Sequence, residues 1–187
     1  MIRRADAIAI VLARLRDEIV VTANGWISRE TCAADDRTEN FYMLGSMGLA
    51  SSIGLGIAIA QPERGVVILD GDGNLLMTLG TLAMVAERKQ RNFLHVVLDN
   101  EVYGSTGGQR SLTTSVDLDA IARAAGYVHV MRACEPEKIA KAVDDLLRNG
   151  GPSFLLIKVA AEADGEAPRV PHDPEEIVDR VRRSLAG

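Results

Sequence analysis

Only two cysteines occur in 187 residues, Cys32 and Cys134, far apart and without metal-ligand spacing. That excludes a disulfide framework and a zinc or iron–sulfur motif, and makes the cytoplasm the expected setting. A long apolar run is also missing. The opening Met1-Ile2-Arg3-Arg4-Ala5-Asp6 is not a signal-peptide core, and the later apolar stretches are broken by charge or glycine well short of a membrane span. Positive charge is in deficit, with 21 basic against 26 acidic residues and a formal charge of −5. With no basic stripe and few aromatics, nucleic acid is excluded as a partner class. There is no internal repeat and no low-complexity tract.

What is present fits one domain, long enough to bury about 70% of its unfolded surface. Ile8, Val11, Leu12 and Leu15 recur at helical intervals, and Ile19–Thr22 reads as a short strand. Leu49–Ala60 is small and apolar on all sides, so it predicts a buried helix closed by Pro62 and Gly65. Val66–Leu69 is an apolar strand, Leu75–Arg88 one amphipathic helix, and Phe93–Leu98 a strand again. Helix at Ile121–Ala125, strand at Tyr127–Met131, helix at Glu135–Arg148 and strand at Phe154–Val159 continue the alternation. The order predicts a doubly wound α/β fold, a mostly parallel sheet with helices on both faces. A charged, proline-bearing linker follows, then a helix from Pro174 through Arg183, so residues 1–160 are expected to form the body and 161–187 an appendage that packs on it or on a partner.

Chemistry concentrates between Gly71 and Asn100. Gly71-Asp72-Gly73-Asn74 follows one apolar strand and Asp99-Asn100 ends the next, placing a carboxylate and an amide oxygen at neighbouring strand tips, where open α/β sheets bind ligands. Oxygen ligands suit Mg²⁺ or Ca²⁺, and Mg²⁺ in particular is usually held by one or two protein groups plus phosphate oxygens. Gly45-Ser46-Met47-Gly48 opens another helical segment and can offer backbone N–H groups to phosphate. The loop Glu101, Tyr103, Ser105-Thr106-Gly107-Gly108-Gln109 has hydroxyls, an amide and glycine hinges, as a mobile lid over a small anion would. His95 and His129 sit inside apolar strands and read as core or sheet-face residues, and His172 lies in the tail. Trp26 reads as a packing or interface residue. Asp35-Asp36-Arg37 reads as a solvated loop with no further metal ligands nearby. Asn24-Gly25 with Ser28 reads as a strand-to-helix turn capped by Ser28.

Gly-Asp-Gly with an asparagine pair under thirty residues later resembles the thiamine-diphosphate enzymes; Asp99 stands here where most members have the first asparagine. Phe41-Tyr42-Met43-Leu44-Gly45-Ser46-Met47-Gly48-Leu49-Ala50-Ser51-Ser52 and Val97 through Gln109 resemble in particular the sulfopyruvate and phosphonopyruvate decarboxylases. The resemblance implies thiamine diphosphate with Mg²⁺ held by Asp72, Asn100 and the Val102 carbonyl. It implies cofactor contacts from Gly25, Ser28, Gly45, Ser46, Met47, Gly71, Gly73, Asn74 and Tyr103, with Met47 wedged under the cofactor. Glu101, Tyr103, Ser105, Thr106 and Gln109 are then the expected catalytic group, and Arg29 and Arg110 candidates for the substrate's distal anion. The activating glutamate of such enzymes belongs to a pyrimidine-binding domain, which is not in this sequence. The resemblance therefore implies a β-type subunit of a 2-oxo acid decarboxylase completed by an α-type subunit, in a hetero-oligomer with at least two copies. The implied reaction is sulfopyruvate to sulfoacetaldehyde and CO₂; phosphonopyruvate as substrate, and a cofactor-binding scaffold without turnover, stay open. The β subunit of a 2-oxoacid:ferredoxin oxidoreductase lacks support, since no cluster cysteines are present.

Overall fold

The computed structural model describes residues 1–161 and 167–186. Its main sheet has six parallel strands in the order β2 (Asn40–Tyr42), β1 (Ile19–Thr22), β3 (Val66–Gly71), β4 (Phe93–Asp99), β8 (Ser153–Lys158) and β7 (His129–Ala133). A small antiparallel pair, β5 (Val102–Tyr103) and β6 (Gln109–Arg110), projects beyond β4. The inner strands are buried on both faces, which is why they read as unbroken Val, Ile and Leu runs without alternation.

Helices cover the sheet in two groups. On one side α1 (Arg4–Leu12) packs against α2 (Trp26–Ala34) and α7 (Pro136–Asn149); on the other α5 (Gly80–Arg88) packs against α3 (Ala50–Ala60) and α6 (Leu118–Ala125). In α7 the proline at the first turn and Ile139, Ala142, Val143 and Leu146 at helical spacing set start and buried face. The last helix, α8 (Pro174–Ala186), lies on β2 and buries Ile177 and Val181. Of the linker expected after Ala160, residues 162–166 lie outside the described residues.

Four elements depart from the sequence expectation. The helix expected over Leu75–Arg88 is two, α4 (Asp72–Leu76) and α5, broken where Thr78 gives its hydroxyl to the Gly48 carbonyl oxygen at 2.6 Å and Gly80 lowers helix propensity. The α3 helix is not buried all round: Gly56, Ile59 and Ala60 face outward. The strand expected at Tyr127 starts only at His129, because Tyr127 closes the turn after α6. Finally, α2 starts at Trp26 with Gly25 as its uncapped N-terminal neighbour, so Ser28 does not cap it.

Candidate active site

In chain order the strands run from β1 out to β2 and then back past β1 to β3, so the winding reverses between β1 and β3. Ligand sites of open sheets collect there, beyond the carboxyl ends. A cleft opens at that point, lined by Asn24, Gly25, Trp26 and Ile27 after β1, Gly71 to Asn74 after β3, and Asn100, Val102 and Tyr103 after β4. The exposed Met47 and Ser105 and the buried Arg4 also line it.

On the cleft floor, the oxygen end of the Asn100 amide stands 2.9 Å from the Val102 carbonyl oxygen and 3.2 Å from Asp72 Oδ1. In this orientation the amide oxygen accepts from the Val102 N–H at 3.3 Å while two further acceptors crowd it, a contact relieved by turning the amide round or by a cation. An octahedral ion with bonds of about 2.1 Å has neighbouring ligands about 3.0 Å apart, the scale of both separations. Asp72 Oδ2 faces Thr113 Oγ1 at 3.0 Å, and the same hydroxyl lies 2.9 Å from Asp99 Oδ1. One hydroxyl proton cannot serve both carboxylates. Burial, and next the Asp99 charge, raise the Asp72 pKa above the ordinary carboxylate range, against the pull of hydrogen bonds from Ser111, Thr113 and the Gly73 backbone. Among the described residues no cationic side chain pairs with Asp72.

Asp99 is compensated differently. Lys158, its cross-strand neighbour on β8, donates to Asp99 Oδ2 at 2.7 Å and to Glu101 Oε1 at 2.5 Å. Burial alone would lower the lysine pKa, but the two carboxylates outweigh it and hold it above its usual value. Glu101, in the left-handed region at φ 61°, spends its carboxylate on this lysine and does not line the cleft.

The cleft gathers Gly25, Met47, Gly71, Asp72, Gly73, Asn74, Asn100, Val102, Tyr103 and Ser105. It does not gather Ser28, Gly45, Ser46, Glu101, Thr106 or Gln109. Ser28 is buried, its hydroxyl engaged with Thr22 and the carbonyls of Ala23 and Met43, where it ties α2 to β1 and β2. Gly45 and Ser46 face a neighbouring apolar cavity of about 240 Å³ shared with Ile177 and Val178 of α8. Thr106 and Gln109 are exposed and bond to each other. The backbone donors differ from expectation as well. Gly48 gives its N–H to Asn74 Oδ1 at 2.7 Å and Gly71 gives its own to Asp70 Oδ1 at 2.8 Å, so neither is free for phosphate. Arg29 lies over the Trp26 ring, and Arg110 is exposed on β6, so neither lines the cleft.

Sequence reasoning missed Thr113, Lys158 and Arg4. Lys158 becomes visible once β8 is known to pair with β4. Arg4 lines the cleft and is locked in a buried two-bond pair with Glu30. The Asp35–Arg37 segment is also corrected: Cys32, Asp36 and His172 bring ligand atoms within 4.8 Å of one another. There, however, Arg180 donates to both oxygens of Asp36 and contacts the His172 ring.

Residues 22–157 match the family described as "Thiamine pyrophosphate enzyme, C-terminal TPP binding domain". Sulfopyruvate decarboxylase subunit beta of Methanothermobacter thermautotrophicus is 40% identical over 187 residues, covering 100% of this chain and 97% of that one. Phosphonopyruvate decarboxylase of Streptomyces viridochromogenes is 41% identical over 180 residues, covering 96% of this chain. The chain spans only 45% of that relative's length. Benzoylformate decarboxylase from Polynucleobacter necessarius superposes with a TM-score of 0.74 at 18% identity, over 86% of this chain and 33% of that one, and so shares the fold. No helix among the described residues is long and apolar enough to cross a membrane.

Proposed function

Because the chain belongs to the thiamine pyrophosphate enzymes, as their C-terminal cofactor-binding domain, we propose that it is the diphosphate-binding half of a 2-oxo acid decarboxylase acting on sulfopyruvate. Its cleft holds thiamine diphosphate through Mg²⁺ bound by Asp72, Asn100 and the Val102 carbonyl. The observation that carries this is the meeting of Asp72 Oδ1, the Asn100 amide and the Val102 carbonyl oxygen on the cleft floor, with Asp72 buried and, among the described residues, paired with no side-chain cation. When bound, the cofactor supplies the electron sink for loss of CO₂.

This chain's own residues bind and orient. Thr113 holds Asp72 in place, and the Tyr103 ring covers Gly73, where an added Cβ would come within 2.5 Å of Tyr103 Cε1. Met47 stands half-exposed on the opposite lip, placed to support a ligand across the cleft. Ser105 at the rim is the hydroxyl offered to substrate. The body is assigned to residues 1–160 and the tail to 161–187.

A partner subunit completes the site. Leu44, Met47, Leu49 and Met77 are exposed large apolar side chains around the Gly48 turn, an edge that suits a second protein surface. An α-type subunit seated there would supply the activating glutamate, in a hetero-oligomer containing at least two copies. A near full-length match to a β subunit, against less than half of a longer decarboxylase, favours this division and sulfopyruvate. Phosphonopyruvate is the second reading, supported by equal identity to a phosphonopyruvate decarboxylase. The test is to co-express the chain with the protein encoded beside it and assay sulfopyruvate, phosphonopyruvate and pyruvate with Mg²⁺ and thiamine diphosphate. CO₂ release fastest from sulfopyruvate supports the proposal. Preference for phosphonopyruvate selects the second reading, and cofactor binding without turnover on any of them overturns both.

A further inference from the structure

Behind Asn74, which lines the cleft, runs a line of buried polar side chains that do not themselves line it. Gly48 donates its N–H to Asn74 Oδ1 at 2.7 Å, Asn74 Nδ2 donates to Asp70 Oδ1 at 2.6 Å, Asp70 Oδ2 faces His95 Nε2 at 3.0 Å, and His95 Nδ1 faces the Tyr127 hydroxyl at 3.2 Å. Asp70 and His95 are fully buried, and Phe93 and Phe154 stand edge-on against the imidazole. Polar groups cost stability in such surroundings unless every one is bonded, and an all-apolar set would fill the same sheet core more cheaply.

The bonding directions leave little freedom. The Asp70 carboxylate only accepts, so His95 Nε2 carries a proton and a neutral ring accepts from Tyr127 at Nδ1. The other carboxylate oxygen accepts from both Gly71 N–H and Asn74 Nδ2. With its nitrogen fixed this way, the Asn74 amide must turn its oxygen toward Gly48. Gly48, at φ 97°, is then gripped at both ends, by Asn74 at N–H and by Thr78 at the carbonyl. The Met47 side chain at the cleft lip hangs from this turn.

We infer that Asp70, His95 and Tyr127 are positioning residues, a buried relay that orients the Asn74 amide and through it fixes the Gly45–Gly48 turn at the edge of the cleft. The ligand named in the test rests on the proposed function; the relay does not.

The test reads two quantities: the hydrogen-exchange rate of the Gly48 amide in the full chain without ligand, and the affinity for thiamine diphosphate with Mg²⁺ when the chain is paired with the subunit encoded beside it. Tyr127→Phe and His95→Leu should speed Gly48 exchange, His95→Leu by about tenfold, the worth of one lost hydrogen bond. Cofactor affinity should fall about tenfold, the lower end of what supporting residues behind a ligand shell contribute. Asp70→Asn should rescue both readouts. Its oxygen still accepts from Gly71 and Asn74, and its amide donates to His95 Nε2 once the ring proton moves to Nδ1. Phe154→Leu, which disturbs packing on the same ring but no bond of the relay, should lower the melting temperature and leave both readouts within about twofold. Unchanged Gly48 exchange in both Tyr127→Phe and His95→Leu, or equal acceleration in Phe154→Leu, overturns the inference. If wild-type chain paired with its partner subunit binds no thiamine diphosphate while Gly48 exchange still rises in His95→Leu, the cofactor reading fails and the relay stands.

Discussion

At the tips of β3 and β4, Asp72 Oδ1 and the Val102 carbonyl oxygen both meet the Asn100 amide, and among the described residues Asp72 meets no cationic side chain. Behind β2, Cys32, Asp36 and His172 also gather, but there the Arg180 guanidinium already bonds both oxygens of Asp36 and the Arg37 carbonyl. Residue types alone would name either cluster as a metal centre. The difference lies in who supplies the positive charge: in the first the protein leaves it to a ligand, and in the second a side chain provides it and fastens α8 to the body. A buried carboxylate is costly unless paired, so the first arrangement is explicable by what it binds, the second by what it holds together.

The largest effect expected from this comparison is at Asp72. Asp72→Ala should abolish Mg²⁺-dependent binding of thiamine diphosphate in a calorimetric titration while the circular dichroism spectrum stays native. Retained affinity would erase the distinction between the two clusters. Gly73→Ala comes next. Its methyl would collide with the Tyr103 ring, costing about 1–3 kcal/mol of stability as an overpacked contact does, seen as a lower melting temperature together with weaker cofactor binding.

Lys158 sharpens the comparison, because it shows a buried carboxylate beside the cleft that does have its cation. Lys158→Met leaves Asp99 buried and unpaired and should cost about 2 kcal/mol in denaturant unfolding, less than a fully buried pair would because the lysine is partly exposed. Adding Asp99→Asn should recover most of that loss; no recovery would mean that the lysine acts through Glu101 instead.

The smallest effect belongs to the second cluster. Burial would raise the Asp36 pKa, but hydrogen bonds from His172, Arg180 and Tyr42 bring it below the ordinary carboxylate range. A depressed native pKa means stabilisation that is complete above the unfolded value near 3.9 and lost as pH falls through the native one. With Asp36 about a third exposed, it amounts to about 1 kcal/mol or less. Amide exchange should show α8 loosening below about pH 4, and Arg180→Ala should loosen it at neutral pH without changing cofactor affinity. An α8 equally protected at pH 6 and pH 3 would contradict this.

The two clusters also differ in how far the sequence announces them. The spacing from Asp72 to Asn100 is legible because each ends an apolar strand, and strands adjacent in sequence pair in the sheet, as β3 and β4 do. The same local logic finds α7 and the inner strands. Lys158 and Thr113 are not legible, since they reach Asp99 and Asp72 across 59 and 41 residues, and nothing periodic in their own segments marks the contact. Arg180, 144 residues from Asp36, is hidden for the same reason. The split of Leu75–Arg88 into two helices was lost because Thr78 answers to a tertiary partner, the Gly48 carbonyl, which no helical periodicity contains. The Gly45–Gly48 segment was legible as a turn but not in its bonding: glycines that suggest open N–H groups can have them filled from a neighbouring helix, as Asn74 does for Gly48.

The central claim is that the three oxygens at Asp72, Asn100 and Val102 form one divalent-cation site completed by a diphosphate. Electron paramagnetic resonance of Mn²⁺ tests it directly, by following the free-ion signal as the chain paired with its partner subunit is added with and without thiamine diphosphate. One Mn²⁺ should be taken up per chain only when the cofactor is present, and none by Asp72→Ala. Uptake that ignores the cofactor, or that survives Asp72→Ala and disappears instead in Asp36→Asn, would contradict it.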